Sequence, residues 1–419
     1  MPSRLASSQF GELFLAITSS FGSLVSDIVP STERACSVTM LQCYCPDLRE
    51  GQIAWNKGHV NALFRMTRIG EYMRIAGVKA VIPSQVIDNA TIELMVAEHS
   101  SRTLSVQLND VLKRIRYYLL HSGSHQRRWL ASGERPFDLL QQAISETLAQ
   151  AGARGSDVDL IIYTGVDRGF LEPAMANVVA VACGMPQAHC FDIVDACMSW
   201  VRAIFVAYTM FRSGVYKNAL VVNCECSMRP GGRVNPGCFQ LDSVDAVEWN
   251  FPAYTMGEAA SATFLIRDDS RPWEFHFSSH SDLSDLCSIP LECFDRYCQP
   301  QPRLGRNGAN QFTSFGGDMF RLGWSHGVEI FKRLSTPLDE IKEIFPHAAS
   351  KKLWMDMGAE VGVQDKIRFI YPDYGNLVSA SVPAGIAMAQ EEGTIQEGDT
   401  LAGWVGSAGM SFASFAFQL

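Results

Sequence analysis

From about residue 136 onward, apolar runs of strand length alternate with segments whose apolar residues recur at helical spacing. Phe137 to Ala151 has the helical spacing, and Asp157-Val158-Asp159 leads into the strand Leu160-Ile161-Ile162-Tyr163. Pro173 opens a helix to Cys183, Cys190 to Val194 is a buried strand, and Cys197 to Arg212 is a helix apolar on nearly every face. Such a helix belongs at the centre of a large core. Gly214 closes it before the strand Ala219 to Val222. The same order then recurs. Met319 to Leu334 is helical, Leu338 to Ile341 leads into the strand Ile344-Phe345-Pro346, and a helix follows from Ala349. Ile367 to Ile370 is a strand, Val378 to Ala389 is a second apolar helix ended by Gly393, and two strands close the chain around Leu401 to Val405 and Ser411 to Phe417. The alternation predicts a layered α/β protein, and the repeated order predicts two duplicated halves packed back to back.

The regular pattern begins near Met73 with the strand-like run Ile75 to Ile82. Residues 1–72, with turn signals at Gly51, Asn56 and Gly58 but no clear helix or strand, read as an N-terminal extension. Residues 73–270 then form the first half, residues 271–311, rich in Ser, Asp, Cys and Pro, an insert, and residues 312–419 the second half.

Composition narrows the class. Of 419 residues, 47% are apolar and 19% charged, with 24 Phe and 8 Trp, which identifies a globular chain with a large core. Asp and Glu total 44 against 35 Lys and Arg, a net charge of −9, and no basic block is long enough to follow a phosphate backbone, so nucleic acid is not the expected partner. The apolar stretch Phe10 to Val29 is broken by Glu12, four serines and Asp27, and it reads as neither a membrane span nor a signal peptide. The 12 cysteines form no even framework, which fits the cytoplasm better than an oxidising compartment. Cys43/Cys45 and Cys224/Cys226 are C-x-C pairs without a second pair at zinc spacing, so no metal site is expected.

Three residues at strand-to-helix junctions carry the candidate chemistry. Cys197 stands where the strand ending at Val194 turns into the apolar helix, and the positive end of a helix dipole there would lower its thiol pKa. His347 follows the strand ending at Pro346, and Asn376 follows Tyr374-Gly375 ahead of the second apolar helix. The carboxyl ends of strands in such sheets are where sites are built. A Cys, a His and an Asn converging from three junctions can hold an acyl group as a thioester while two neutral donors stabilise an oxyanion beside it. Taken singly, Cys197 also fits a small core residue, His347 a satisfied core histidine, and Asn376 a turn residue.

Four segments resemble, in order and spacing, the signatures of the ketoacyl synthase III family of the thiolase superfamily: Asp195-Ala196-Cys197-Met198-Ser199, Phe345-Pro346-His347-Ala348-Ala349-Ser350, Asp373-Tyr374-Gly375-Asn376 and Gly406-Ser407-Ala408-Gly409. The resemblance covers roughly residues 73 to 419. It implies a thiolase-like five-layered αβαβα fold made of two duplicated halves, and a homodimer with the strand after the nucleophile helix near its interface. No tightly bound cofactor is implied; acyl-CoA, acyl-ACP and a malonyl thioester are substrates. In the implied cycle Cys197 takes an acyl group from a coenzyme A or acyl carrier protein thioester. A malonyl thioester then loses carbon dioxide, and its enolate attacks the acyl-cysteine. His347 Nε2 and Asn376 would supply uncharged donors to the enolate oxygen. The backbone N–H of Cys197 and one from the Gly406, Ser407, Ala408, Gly409 turn would hold the acyl oxygen.

Met256 to Ala262 is similar to the family's Gly-Asp-Gly-Ala segment, with Glu258 and Ala259 as departures, and reads as close packing beside the site. Ala348, Ala349 and Ser350 stand where the family has Gln, Ala and Asn, so Ser350 replaces the residue that hydrogen-bonds the pantetheine arm. Lys352 matches a basic position beside the carrier-protein docking site. Tyr117, Tyr118 and Trp129 are the candidates for an adenine-stacking aromatic. The leading expectation is a decarboxylating condensing enzyme of fatty-acid or specialised polyketide biosynthesis, with the insert reshaping or capping the acyl pocket. The alternatives are an acyltransferase of the same fold that delivers to an alcohol or amine, and a non-catalytic partner subunit.

Overall fold

A computed structural model describes residues 72–268 and 272–419, so all of the N-terminal extension but Tyr72, and with it Cys43/Cys45, lies outside the described residues. The first half builds a five-stranded sheet from β1 (Tyr72–Val81), β4 (Leu160–Tyr163), β5 (His189–Asp192), β6 (Asn218–Glu225) and β7 (Ala259–Asp268), in the order β1-β7-β6-β4-β5. Between β1 and β4 lie the short strands β2 (Gln85–Asp88) and β3 (Gln126–Trp129), which pair with each other, and the helices α1 (Asn89–Leu104), α2 (Leu108–Ser122) and α3 (Pro136–Gln150). The helix α4 (Met175–Ala182) joins β4 to β5, and α5 (Ser199–Arg212) joins β5 to β6.

The second half repeats this order in a four-stranded sheet. Its strands are β8 (Glu274–Ser279), β11 (Ile341–Pro346), β12 (Thr400–Ser407) and β13 (Ser411–Gln418), ordered β11-β12-β13-β8, and its helices are α6 (Gly316–Phe331), α7 (Lys351–Val361) and α8 (Ser381–Glu391). A two-stranded ribbon of β9 (Cys287–Ser288) and β10 (Thr313–Ser314) lies between β8 and α6. Matched element by element, β1, β4, β6 and β7 correspond to β8, β11, β12 and β13, while α3, α4 and α5 correspond to α6, α7 and α8.

Three departures from the sequence expectation have local causes. Ile367 to Ile370 is not a strand: only Ile367 bridges, to Ile344, because Ile370 already caps the one-turn helix Tyr371–Tyr374. Glu274–Ser279, placed in the insert, is an edge strand of the second sheet and pairs with β13, so the second half reaches back past the boundary at 312. The strand after the nucleophile helix is β6, which lies in the interior of its sheet; the edge is β5, the strand before that helix.

Both sheets are apolar on two faces, as strands covered by helices on each side must be. Leu160, Ile162 and Val221 of the first sheet and Phe345, Leu401, Val405 and Phe415 of the second join one core around Trp200, Ile204 and Phe211 of α5 and Val382 and Ile386 of α8. The intervening residues Ile161, Leu220 and Val222 face α3 and α4, and Ile344, Ala402 and Trp404 face α6 and α7. The period-two alternation thus sorts each strand between an inner and an outer layer. The result is the five-layered αβαβα thiolase-like fold with α5 and α8 in the middle. A further core packs the hairpin of α1 and α2, through Ile92, Val96, Val111, Ile115 and Leu119, against Phe239 and Tyr254.

Candidate active site

The carboxyl ends of β5, β6, β11 and β12 open on one cavity of about 890 Å³, lined by Cys197, Glu225, His347, Asn376, Gly406, Ser407 and Ala408. Cys197 sits in a single 3-10 turn, Ala196–Met198, ahead of α5. Ala196 adopts φ +47°, a left-handed conformation that costs a non-glycine residue roughly 1–2 kcal/mol. Surrounding hydrogen bonds hold it there. Ser199 Oγ accepts from the Asp195 N–H at 2.7 Å and donates to the Ala196 carbonyl at 2.7 Å. From the other half, Ser407 Oγ accepts from the Met198 N–H at 3.3 Å and donates to the Asp195 carbonyl at 3.2 Å.

Asn376 is fixed through its backbone on both sides, its N–H donating to Thr255 O at 2.8 Å and its carbonyl accepting from the Gly257 N–H at 3.0 Å. The approach is so close that a Cβ on Gly257 would stand 1.9 Å from the Tyr374 carbonyl oxygen, which accounts for a glycine in the Met256 to Ala262 segment. Asn376 Oδ1 accepts from the Val378 N–H at 2.9 Å and lies 3.0 Å from His347 Nε2. The backbone donor fixes Oδ1 as the acceptor end of the amide, so the hydrogen-bond network assigns the ring proton to Nε2, which donates to it. Burial lowers the His347 pKa to about 4 against the opposing hydrogen bonds to Asn376 and the Gly406 backbone, and the ring is neutral at physiological pH. His347 and the Asn376 amide are therefore neutral groups side by side in the cavity wall, with the Nε2–H donating to Asn376 Oδ1 until an oxyanion competes for it.

The thiol departs from the sequence expectation. Burial, followed by the nearby Cys287 thiol and the Glu225 carboxyl, raises the Cys197 pKa well above its ordinary value, and its own backbone N–H offsets only part of this. Desolvation outweighs the dipole because the residue precedes the α-helix proper. Alkylation of Cys197 by iodoacetamide should therefore accelerate about tenfold per pH unit from pH 7 to 9; a plateau in that window would contradict a raised pKa.

Other sequence candidates fall as follows. Gly406, Ser407 and Ala408 line the cavity, whereas Gly409, at φ +124°, turns the chain into β13 outside that lining. Ser350 lines the cavity but also caps α7, its Oγ accepting from the Leu353 N–H and donating to Ser122 O, each at 3.4 Å. Lys352 is at the cavity with its ammonium paired to Asp356 at 2.6 Å. Trp129 is buried and donates to Met256 O at 2.8 Å, which removes it as a stacking platform. Tyr118 lines the cavity, and the exposed Tyr117 stacks on cavity-lining His121 at 3.7 Å between centroids. Glu258 is buried, accepting from the Leu130 and Met228 N–H groups at 2.7 Å each, a clamp between loops.

Sequence reasoning missed Cys287, on β9, and Glu225, the last residue of β6. An acidic residue three positions past the apolar run 219–222, at the end of the same strand, was the available signal for Glu225. Burial raises the Cys287 pKa to about 11 and that of Glu225 to about 7.

Comparison with known proteins bears on the fold. Residues 127–232 match the family model of the thiolase N-terminal domain, and residues 331–419 that of the 3-oxoacyl-[acyl-carrier-protein] synthase III C-terminal region. The beta-ketoacyl-[acyl-carrier-protein] synthase III of Clostridium beijerinckii is 24% identical over 348 residues, covering 82% of this chain and 98% of that protein. The Symbiobacterium thermophilum protein of the same name is 23% identical over 351 residues, covering 82% and 97%. Among solved structures, a cysteine-to-serine variant of Xanthomonas campestris OleA with bound lauric acid and lauroyl-CoA superposes with a TM-score of 0.69 at 19% identity, covering 84% of this chain and 100% of that one. The 3-oxoacyl-[acyl-carrier-protein] synthase III of Aquifex aeolicus gives 0.66 at 18% identity, covering 83% and 100%. The fold and the paired half-domains define a member of the thiolase superfamily. Within it, the chain is similar to the ketoacyl synthase III family, through one family model in its C-terminal half and curated relatives at 23–24% identity.

Proposed function

We propose that this protein is a ketoacyl synthase III-like condensing enzyme in which Cys197 is the nucleophile. The observation that carries the reading is the convergence of Cys197, His347 and Asn376 on one cavity, with the latter two side chains 3.0 Å apart and neutral. The Cys197 sulfur attacks the carbonyl of an acyl-CoA or acyl-ACP thioester, and the donor sulfur leaves as a thiol with the proton Cys197 gives up. A malonyl thioester then loses carbon dioxide, the electron pair passing into an enolate whose oxygen faces His347 Nε2–H and the Asn376 amide. The enolate carbon attacks the acyl carbon, the bond to Cys197 breaks, and the sulfur regains a proton. Backbone N–H groups of Cys197 and the Gly406, Ser407, Ala408, Gly409 turn would hold the acyl oxygen.

The cavity volume is near the upper end of the usual range for ligand pockets, about 300–1,000 Å³, and favours an acyl group longer than acetyl, in keeping with the lauroyl-CoA bound by the OleA relative. Cys287, Ser288, Ile289, Phe312 and Ser314 contribute to its wall, which supports a role for the 271–311 segment and the residues just after it in shaping the acyl pocket. Ser350 and Lys352 stand where the pantetheine arm and an acidic carrier protein would approach, Lys352 exchanging Asp356 for a carrier carboxylate. Homodimerisation across the β5 edge is supported by the exposed Val194 two residues past that strand. No helix among the described residues is long and apolar enough to cross a membrane.

Intact-protein mass spectrometry with a panel of acyl-CoA and acyl-ACP donors tests the reading. A mass gain discharged by malonyl-ACP is expected. A gain that persists until an alcohol or amine is added would favour acyl transfer, and no gain with any donor would leave the non-catalytic subunit.

A further inference from the structure

The buried carboxyl of Glu225 is unused by the chemistry above, yet it joins β6, the chain just after β4 and the turn ahead of α8. It is 2% exposed and terminates β6. Its oxygens accept from the Val166 N–H at 3.2 Å, the Asp167 N–H at 3.2 Å and the Ser379 N–H at 3.4 Å, and also from the Ser379 hydroxyl. Ser379 lies in the 3-10 turn Val378–Ala380, which precedes α8 as the Cys197 turn precedes α5. The two turns match residue by residue. Val378 stands at φ +50° where Ala196 stands at +47°, Ser379 takes the place of Cys197, and Ser381 Oγ donates to Val378 O at 2.8 Å as Ser199 Oγ donates to Ala196 O.

The anchoring is reciprocal as well. Ser407, last residue of β12 in the second half, holds the Cys197 turn, and Glu225, last residue of β6 in the first half, holds the Val378 turn. Asn223, two residues earlier on β6, reinforces it by donating to Ser379 Oγ at 3.0 Å while its Oδ1 accepts from the Ser261 hydroxyl. A β-branched residue at positive φ persists only where its surroundings over-determine it. The Val378 N–H it presents is the group that orients the Asn376 amide.

We propose that Glu225 is a positioning residue that, through Ser379 and the strained Val378 turn, sets the Asn376 amide beside His347. The proposal rests on the condensing reading for its kinetic consequence but not for its structural one. Glu225→Gln keeps the size and presents an amide N–H to backbone donors, so it disrupts the anchor. In this variant, acyl loading of Cys197 should not slow, since the lost carboxylate is one of the groups that raise the thiol pKa, while discharge by malonyl-ACP should slow about tenfold or more. Added to Asn376→Ala, Glu225→Gln should cause almost no further loss, because both act through one amide. Should Glu225→Gln fold poorly by thermal melting, Ser379→Ala removes the same link and should give the same pattern. Equal losses in both half-reactions, or losses additive with Asn376→Ala, would overturn the proposal. A crystal structure of the folded variant provides a readout independent of activity. Displacement of the Asn376 amide from His347 Nε2 is expected, and retention of the 3.0 Å contact would overturn the proposal even if wild type proved inactive in condensation.

Discussion

Cys197→Ala is expected to take up no acyl group from any donor, with the loss complete to the detection limit of intact-protein mass spectrometry. The cavity contains a second thiol, Cys287, but it lies on the β9 ribbon and not at the strand-to-helix junction ahead of α5, and burial raises its pKa to about 11. Burial raises the Cys197 pKa as well, so what sets Cys197 apart is its place, in the turn clamped by Ser199 and Ser407 with its own backbone N–H at the sulfur. Alanine fits that turn without new contacts, so the variant should melt close to wild type. Acylation of the variant on another residue would remove Cys197 from the nucleophile role.

Asn376→Ala should separate the two half-reactions. Loading should continue at close to the wild-type rate, since Asn376 is anchored to Thr255, Gly257 and Val378 rather than to the Cys197 turn. Condensation should slow roughly 10²–10³-fold, the usual cost of one oxyanion donor. The loss has two sources: the amide donor itself, and the acceptor that keeps the His347 proton on Nε2. Single-turnover discharge of preloaded enzyme by malonyl-ACP measures it, and equal slowing of loading would contradict the division of roles.

Much of this site was legible because the duplicated halves repeat their element order and because Cys197, His347 and Asn376 each occupy a strand-to-helix junction. The apolar runs 160–163 and 401–405 also betrayed their two-faced burial, since every residue in them is apolar or small. Other parts were hidden for physical reasons. In the α1 and α2 hairpin the buried positions Ile92, Val96, Ser100 and Leu104 do recur every fourth residue, but Ser100 dilutes the stripe and exposed Leu94 and Leu120 blur it. Ile367 to Ile370 has strand composition, yet its backbone is diverted by the turn that delivers Asn376. Trp129 looks like a surface aromatic until its indole N–H is seen to find Met256 O in the interior. The rise in the Cys197 pKa depends on burial and on Cys287 and Glu225, residues 90 and 28 positions away, and no local motif records it. The link from Glu225 to Ser379 spans 154 positions and joins corresponding places in the two halves, which no local pattern records.

The most direct test of the condensing assignment is the stoichiometry of carbon dioxide release when preloaded enzyme meets carboxyl-labelled malonyl-ACP. One carbon dioxide per acyl group discharged, with a 3-oxoacyl product two carbons longer than the donor acyl, is the predicted result. Discharge of the acyl group without carbon dioxide, or an acyl-enzyme inert to malonyl-ACP but released by an alcohol or amine, would contradict it.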